Sequence, residues 1–140
     1  MTWGPPRASI EAECARRGRD EVVSGCRALL RGEEVDHRLV VALGGPATSA
    51  YAPGMPPRDD VYWLRVWGAR GLLWAWDDAA LPELASATYD EHWRVREMAM
   101  KVVARHRVDD LLDEALRLRD DDVARVRAAA SRAVAALTSG

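Results

Sequence analysis

The C-terminal half of this chain repeats itself every 31 residues. Leu64, Val95 and Val126 are followed in register by Arg65, Arg96 and Arg127, then by Gly68, Ala99 and Ala130, then by Leu72, Val103 and Val134. Each copy opens on an aspartate six positions before its arginine: Asp59, Asp90 and Asp121. A unit repeated at fixed distance predicts a stacked array, because one unit of this length cannot bury its own apolar face.

Apolar residues return at steps of three and four along most of the chain, and no alternating strand pattern runs for any length. Helices are predicted from Ala8 to Arg17, from Asp20 to a stop at Gly32, and from Asp36 to Leu43. Gly44, Gly45 and Pro46 close the third, and residues 44–59, with three Gly and four Pro, read as a loop. Long and short helices then alternate: Asp60 to about Trp76, Ala79 to Thr88, Asp90 to about His106, Asp109 to Leu118, and a last one from the Asp120–Asp122 run to about Leu137. The expected organisation is one domain over 1–140, with N-terminal helices in 8–45, a Pro/Gly loop in 46–59 and repeats in 60–138.

The motif Asp90-x-x-x-x-Val95-Arg96-x-x-Ala99, its copy Asp121-x-x-x-x-Val126-Arg127-x-x-Ala130 and a weaker copy at Asp59, Leu64, Arg65 and Gly68 resemble HEAT-like repeats of the short phycobilisome-lyase type. The resemblance covers residues 60–138 and implies pairs of antiparallel helices stacked into a short, curved, all-α solenoid, with residues 8–45 as a degenerate N-terminal cap. It implies that the Asp sits in the turn and that the Val-Arg pair opens the second helix. Helix-start carboxylates accept free backbone N–H groups, and an arginine six residues on reaches that carboxylate or the one in the adjoining repeat. Asp59, Arg65, Asp90, Arg96, Asp121 and Arg127 therefore read as a structural ladder.

On a helical wheel, Val95, Ala99, Val102, Val103 and His106 form a core stripe, and Arg94, Lys101 and Arg105 fall together beside it. The matching positions one repeat earlier are Trp63, Arg70 and Trp74; one repeat later they are Arg125, Arg132 and Ala136. Side-by-side stacking predicts a continuous band from these residues, aromatic at one end and cationic at the other. Two readings of the band stay open: a surface for a macromolecular partner, or indoles packed on the N-terminal helices with arginines solvated or paired to carboxylates. Cations beside Trp also suit phosphate contact and base stacking, in partial resemblance to the DNA alkylation-repeat glycosylases; Glu97 is the one acidic residue near the band.

The net charge of −2 argues against a general polyanion binder. There is no H-E-x-x-H, G-x-S-x-G, P-loop or dinucleotide fingerprint, and Cys14 and Cys26 have no zinc-ligand spacing. No catalytic residues, metal, cofactor, small-molecule substrate or membrane segment are predicted. The expectation is a cytoplasmic, non-catalytic scaffold that binds a protein, with nucleic-acid binding as the alternative.

Overall fold

The computed structural model describes residues 5–139, and these are all-helical, with no strand among them. Eight α-helices are formed: α1 (Pro6–Arg17), α2 (Arg19–Leu30), α3 (His37–Gly44), α4 (Tyr62–Gly71), α5 (Leu81–Ala87), α6 (Trp93–His106), α7 (Leu112–Leu118) and α8 (Ala124–Thr138). None is long and apolar enough to cross a membrane. Helix α2 packs on α4, α4 on α6 and α6 on α8, so these four form a row, with α5 against α6 and α7 against α8. One apolar cluster runs through the row, from Ile10 through Cys26, Leu43 and Trp67 to Val95, Met100, Val103, Val126 and Ala133.

The sequence punctuation acts where expected, with informative exceptions. Helix α1 begins at Pro6, earlier than Ala8, because Pro is tolerated where the N–H has no helical partner anyway. The predicted 46–59 loop contains a tight 3-10 stretch, Gly45–Tyr51, before an irregular run of Pro and Gly. Helix α4 ends at Gly71, five residues short of Trp76, and residues 72–74 continue in i→i−3 turns. That early end carries Trp76 onto the His106 ring, 5.2 Å between centroids.

The repeat aspartates do not open the long helices directly. Asp90 accepts from the N–H of His92 (2.9 Å) and Asp121 from that of Val123 (2.9 Å), so each closes a tight turn and the helix starts after it, at Trp93 and at Ala124. Asp77 does the same for Ala79 (2.8 Å).

The first repeat differs from the others at one telling position. Where α6 and α8 carry Ala99 and Ala130, α4 carries Gly68, and a Cβ there would stand 3.0 Å from the backbone oxygen of Cys26. One turn on, a Cβ at Gly71 would drive into Cys26 Sγ and come within 2.7 Å of Leu43 Cδ2. These glycines let α2 approach α4 closely, which docks the N-terminal helices on the repeats. Cys14 and Cys26 are both free thiols, and Cys26 is fully buried beneath Gly71.

Gly71→Ala should therefore destabilise the fold by about 1–3 kcal/mol through overpacking, against the gain of up to ~1 kcal/mol that Ala brings to a helix. Urea unfolding monitored by circular dichroism measures the difference; a variant as stable as the parent would mean that α2 retreats without cost.

Candidate functional site

The ladder forms, with a forward reach. Arg65 donates from Nε and Nη2 to the carboxylate of Asp90 (2.7 and 3.1 Å), and Arg96 does the same to Asp121 (2.8 and 3.2 Å). Each guanidinium thus bridges to the next repeat. The contact to its own repeat goes to the backbone: Arg96 Nη1 donates to the Asp90 carbonyl (2.8 Å) and Arg127 Nη1 to the Asp121 carbonyl (2.7 Å). Burial would raise the Asp121 carboxyl, but the Arg96 guanidinium and the Val123 N–H outweigh it and hold the group below its ordinary value.

The ladder has two rungs, not three. Asp59 is exposed and joins no ion pair among the described residues; its neighbour Asp60 pairs with Arg58 (2.8 and 2.9 Å). Asp59 has no preceding arginine in register, and the Pro-rich run before it forms no tight turn onto α4. Arg127, also exposed, has a carbonyl but no carboxylate.

The band residues meet in pairs across adjacent helices. Arg94 lies over the Trp63 ring at 5.0 Å and over Trp93 at 4.4 Å, and Arg125 of α8 lies over Trp93 of the adjacent α6 at 5.2 Å. Trp63, Arg94, Trp93 and Arg125 therefore alternate ring and cation from α4 to α8. Arg125 is also forked onto Glu97 (2.9 and 3.2 Å), whose carboxylate is buried. Further along, Arg105 sits 3.9 Å from the Trp74 ring centre, with its Nε donating to the Leu73 carbonyl (2.7 Å), and Arg7 approaches the same ring at 4.9 Å.

The middle row behaves differently. Arg70 turns inward, half-buried, and donates to the Leu43 carbonyl at the end of α3 (3.3 Å); it takes no place on the open face. Lys101 and Arg132 form no ion pair or side-chain hydrogen bond among the described residues. Of the band cations, only Arg125 is neutralised by a carboxylate; Arg94, Lys101, Arg105 and Arg132 are not.

Several participants escape sequence reasoning. Trp93 is central to the ring–cation alternation; its only signal is that it falls in register with Tyr62, itself stacked on His92 at 3.5 Å. Tyr51, Arg58 and Asp60 join Trp63, Trp67 and Arg70 around a recess of about 380 Å³, although the Pro/Gly context of the first three suggests only a loop. His106, on the predicted core stripe, places Nε2 2.7 Å from the Leu72 carbonyl, so that nitrogen carries a proton and donates it. No group of three or more His, Cys, Asp or Glu able to hold a metal occurs among the described residues.

Comparison with protein-family models, with curated proteins and with solved structures finds no match for this chain.

Two stability predictions follow from the ladder and from His106. Arg96→Ala strands the mostly buried Asp121 and should cost about 3 kcal/mol, whereas Arg127→Ala, exposed and at the end of the ladder, should cost under about 1 kcal/mol. Equal losses in urea titrations would mean the forward rung contributes nothing special. For His106, burial holds the imidazole below its ordinary value of 6.5, so the unfolded chain takes up a proton first. Its contribution is complete above pH 6.5 and is lost as the pH falls below it. The parent should therefore be less stable at about pH 5.5 than at about pH 7.5, and His106→Gln should narrow that gap. An unchanged gap would remove His106 as its source.

Proposed function

We propose that this chain is a non-catalytic binding module, a short HEAT-like stack of helical hairpins, that holds an acidic segment of another protein along the open face of α4, α6 and α8. The observation that carries the reading is the uneven neutralisation of its cations. Arg17, Arg27, Arg65 and Arg96, which tie helices together, each meet a carboxylate at 2.6–2.8 Å. Arg94, Lys101, Arg105 and Arg132 point along one face of the row with none.

The cations of this face are also held in place. Guanidiniums lying on Trp63, Trp74 and Trp93, or bonded to a main-chain carbonyl, lose less freedom when a partner carboxylate arrives. Exposed carboxylates crowd the turns at Asp78, Asp109, Asp110, Asp120 and Asp122, with others in the N-terminal helices and at Glu91. The crowded turns repel an acidic partner, which favours the α4–α6–α8 face.

The HEAT-like part of the reading is supported by the row of long helices, by the α5–α6 and α7–α8 packing and by the repeated Arg–Asp fork. The nucleic-acid alternative draws on the same cations, but it needs aromatic faces open for bases. Here Trp63, Trp74 and Trp93 already carry guanidiniums, and the overall charge is negative.

The decisive experiment is fluorescence anisotropy with a labelled Glu/Asp-rich peptide and with a labelled DNA duplex. The triple variant Arg94→Ala, Lys101→Ala, Arg105→Ala should keep the helical circular dichroism and weaken the peptide by roughly tenfold or more. Peptide binding that survives all three changes rules out this face. Duplex binding that is tighter than peptide binding at low salt would turn the assignment to nucleic acid.

A further inference from the structure

The recess of about 380 Å³ beside α4 borders the open face at Trp63, and its chemistry is of another kind. Its floor and walls come from the end of α3, the 3-10 stretch that follows, Arg58 and Asp60 ahead of α4, and one side of α4 from Trp63 to Arg70. At its inner end is Arg70. This guanidinium is half-buried, has no carboxylate partner among the described residues, and makes one hydrogen bond, at 3.3 Å, to the Leu43 carbonyl. Part of its role is plainly structural, since a cation at the carboxyl end of α3 complements the helix dipole. One bond nonetheless leaves most of its five N–H donors unused.

A desolvated cation without a counter-ion is costly, and this fold pairs most of its part-buried guanidiniums with carboxylates. Arg65 and Arg96 meet aspartates, and Arg17 and Arg27 meet Glu13 and Glu83. Arg94 departs from that pattern but lies over the Trp63 and Trp93 rings, whereas Arg70 has neither a carboxylate nor a cation–ring contact among the described residues, and burial pulls it below its ordinary value. Its free donors form the planar fork that binds a carboxylate in two parallel bonds.

The rest of the recess is aromatic or small. Trp63 and Trp67 lie nearly parallel, 6.2 Å apart and 25° inclined, and Tyr51 meets Trp67 edge-on at 5.3 Å. Opposite them are Ala47 and Ala50, whose short side chains leave room for a flat body. The rim is electrically closed: Arg58 forks onto Asp60 and lies 5.3 Å from the Tyr51 ring, while the Tyr51 hydroxyl donates to the Asp60 carbonyl (3.1 Å). Arg58 and Asp60 cancel, so the recess keeps the single positive charge of Arg70. A monoanion matches that charge; a phosphate dianion would bring a second negative charge that no further cation of the recess offsets. The volume falls in the usual range of small-ligand sites, about 300–1,000 Å³.

We propose that this recess binds a small planar aromatic monocarboxylate, with the Arg70 guanidinium on its carboxylate and Trp63, Trp67 and Tyr51 around its ring. The site shares Trp63 with the Arg94 contact of the protein-binding face, but Lys101 and Arg132 lie on α6 and α8, outside it.

The probes are indole-3-acetate, its neutral analogue indole-3-acetamide, and inorganic phosphate, each titrated into the full chain by calorimetry and by NMR of the arginine Nε–H resonances. Indole-3-acetate should bind, shift the Arg70 resonance and raise the melting temperature with concentration, at least about tenfold more tightly than the amide. Arg70→Met should erase that preference, while a Lys101→Ala, Arg132→Ala variant should keep it. Should Arg70→Met fail to fold, the acid-to-amide ratio on the parent protein decides. Equal affinity for acid and amide, no binding of the acid at millimolar concentration, preference for phosphate, or a preference that persists in Arg70→Met would each overturn the proposal.

Discussion

Successive long helices are locked to one another by a guanidinium that reaches forward into the next turn. Asp90 and Asp121 each do three things at once: a carboxylate oxygen closes the turn ahead of its own helix, the carboxylate receives the arginine of the helix before, and in Asp90 and Asp121 alike the carbonyl takes the arginine of the helix it opens. Turn length, helix start and inter-helix distance are therefore coupled in one short network. This is why an aspartate and an arginine at fixed separation carry so much of the fold: both carboxylates are mostly buried, so removing the arginine leaves a charge without its partner.

The same residue type serves three distinct ends in this molecule. Arginines that meet acids join helices; arginines laid on indoles make a stiff, positively charged face; and Arg70 stands in a recess with its donors largely unspent. The environment decides between these roles. A residue position on the helix wheel does not, because Arg70, Lys101 and Arg132 are equivalent in the repeat and yet occupy a pocket wall, a half-buried flank and open surface.

Much of the helical framework was legible in the primary structure. Its signals are local: Gly32 and the Gly44–Gly45–Pro46 stop, aspartates before helices, and apolar steps of three and four. Register at 31 residues correctly brought Trp63 beside Arg94 and Trp74 beside Arg105. What stayed hidden depends on contacts far apart in the chain. Nothing local to α4 announces that it stops at Gly71, or that Gly68 is a glycine because the Cys26 carbonyl lies against it. Asp59 kept the motif spacing but not the geometry, since spacing records which residue comes next and not how the loop before it enters the helix. Tyr51 and Arg58 looked like loop filler and turned out to wall the recess around Arg70.

The close seating of Gly71 on Cys26 has a consequence for how the molecule breathes. Burial pushes the Cys26 thiol well above its usual value, so it is un-ionised and shielded while the N-terminal helices stay docked. Its sulfur becomes available to an alkylating reagent only when α2 parts from α4. The labelling rate of that one atom is thus a native clock for local opening at this seam, read without introducing any foreign probe into the chain.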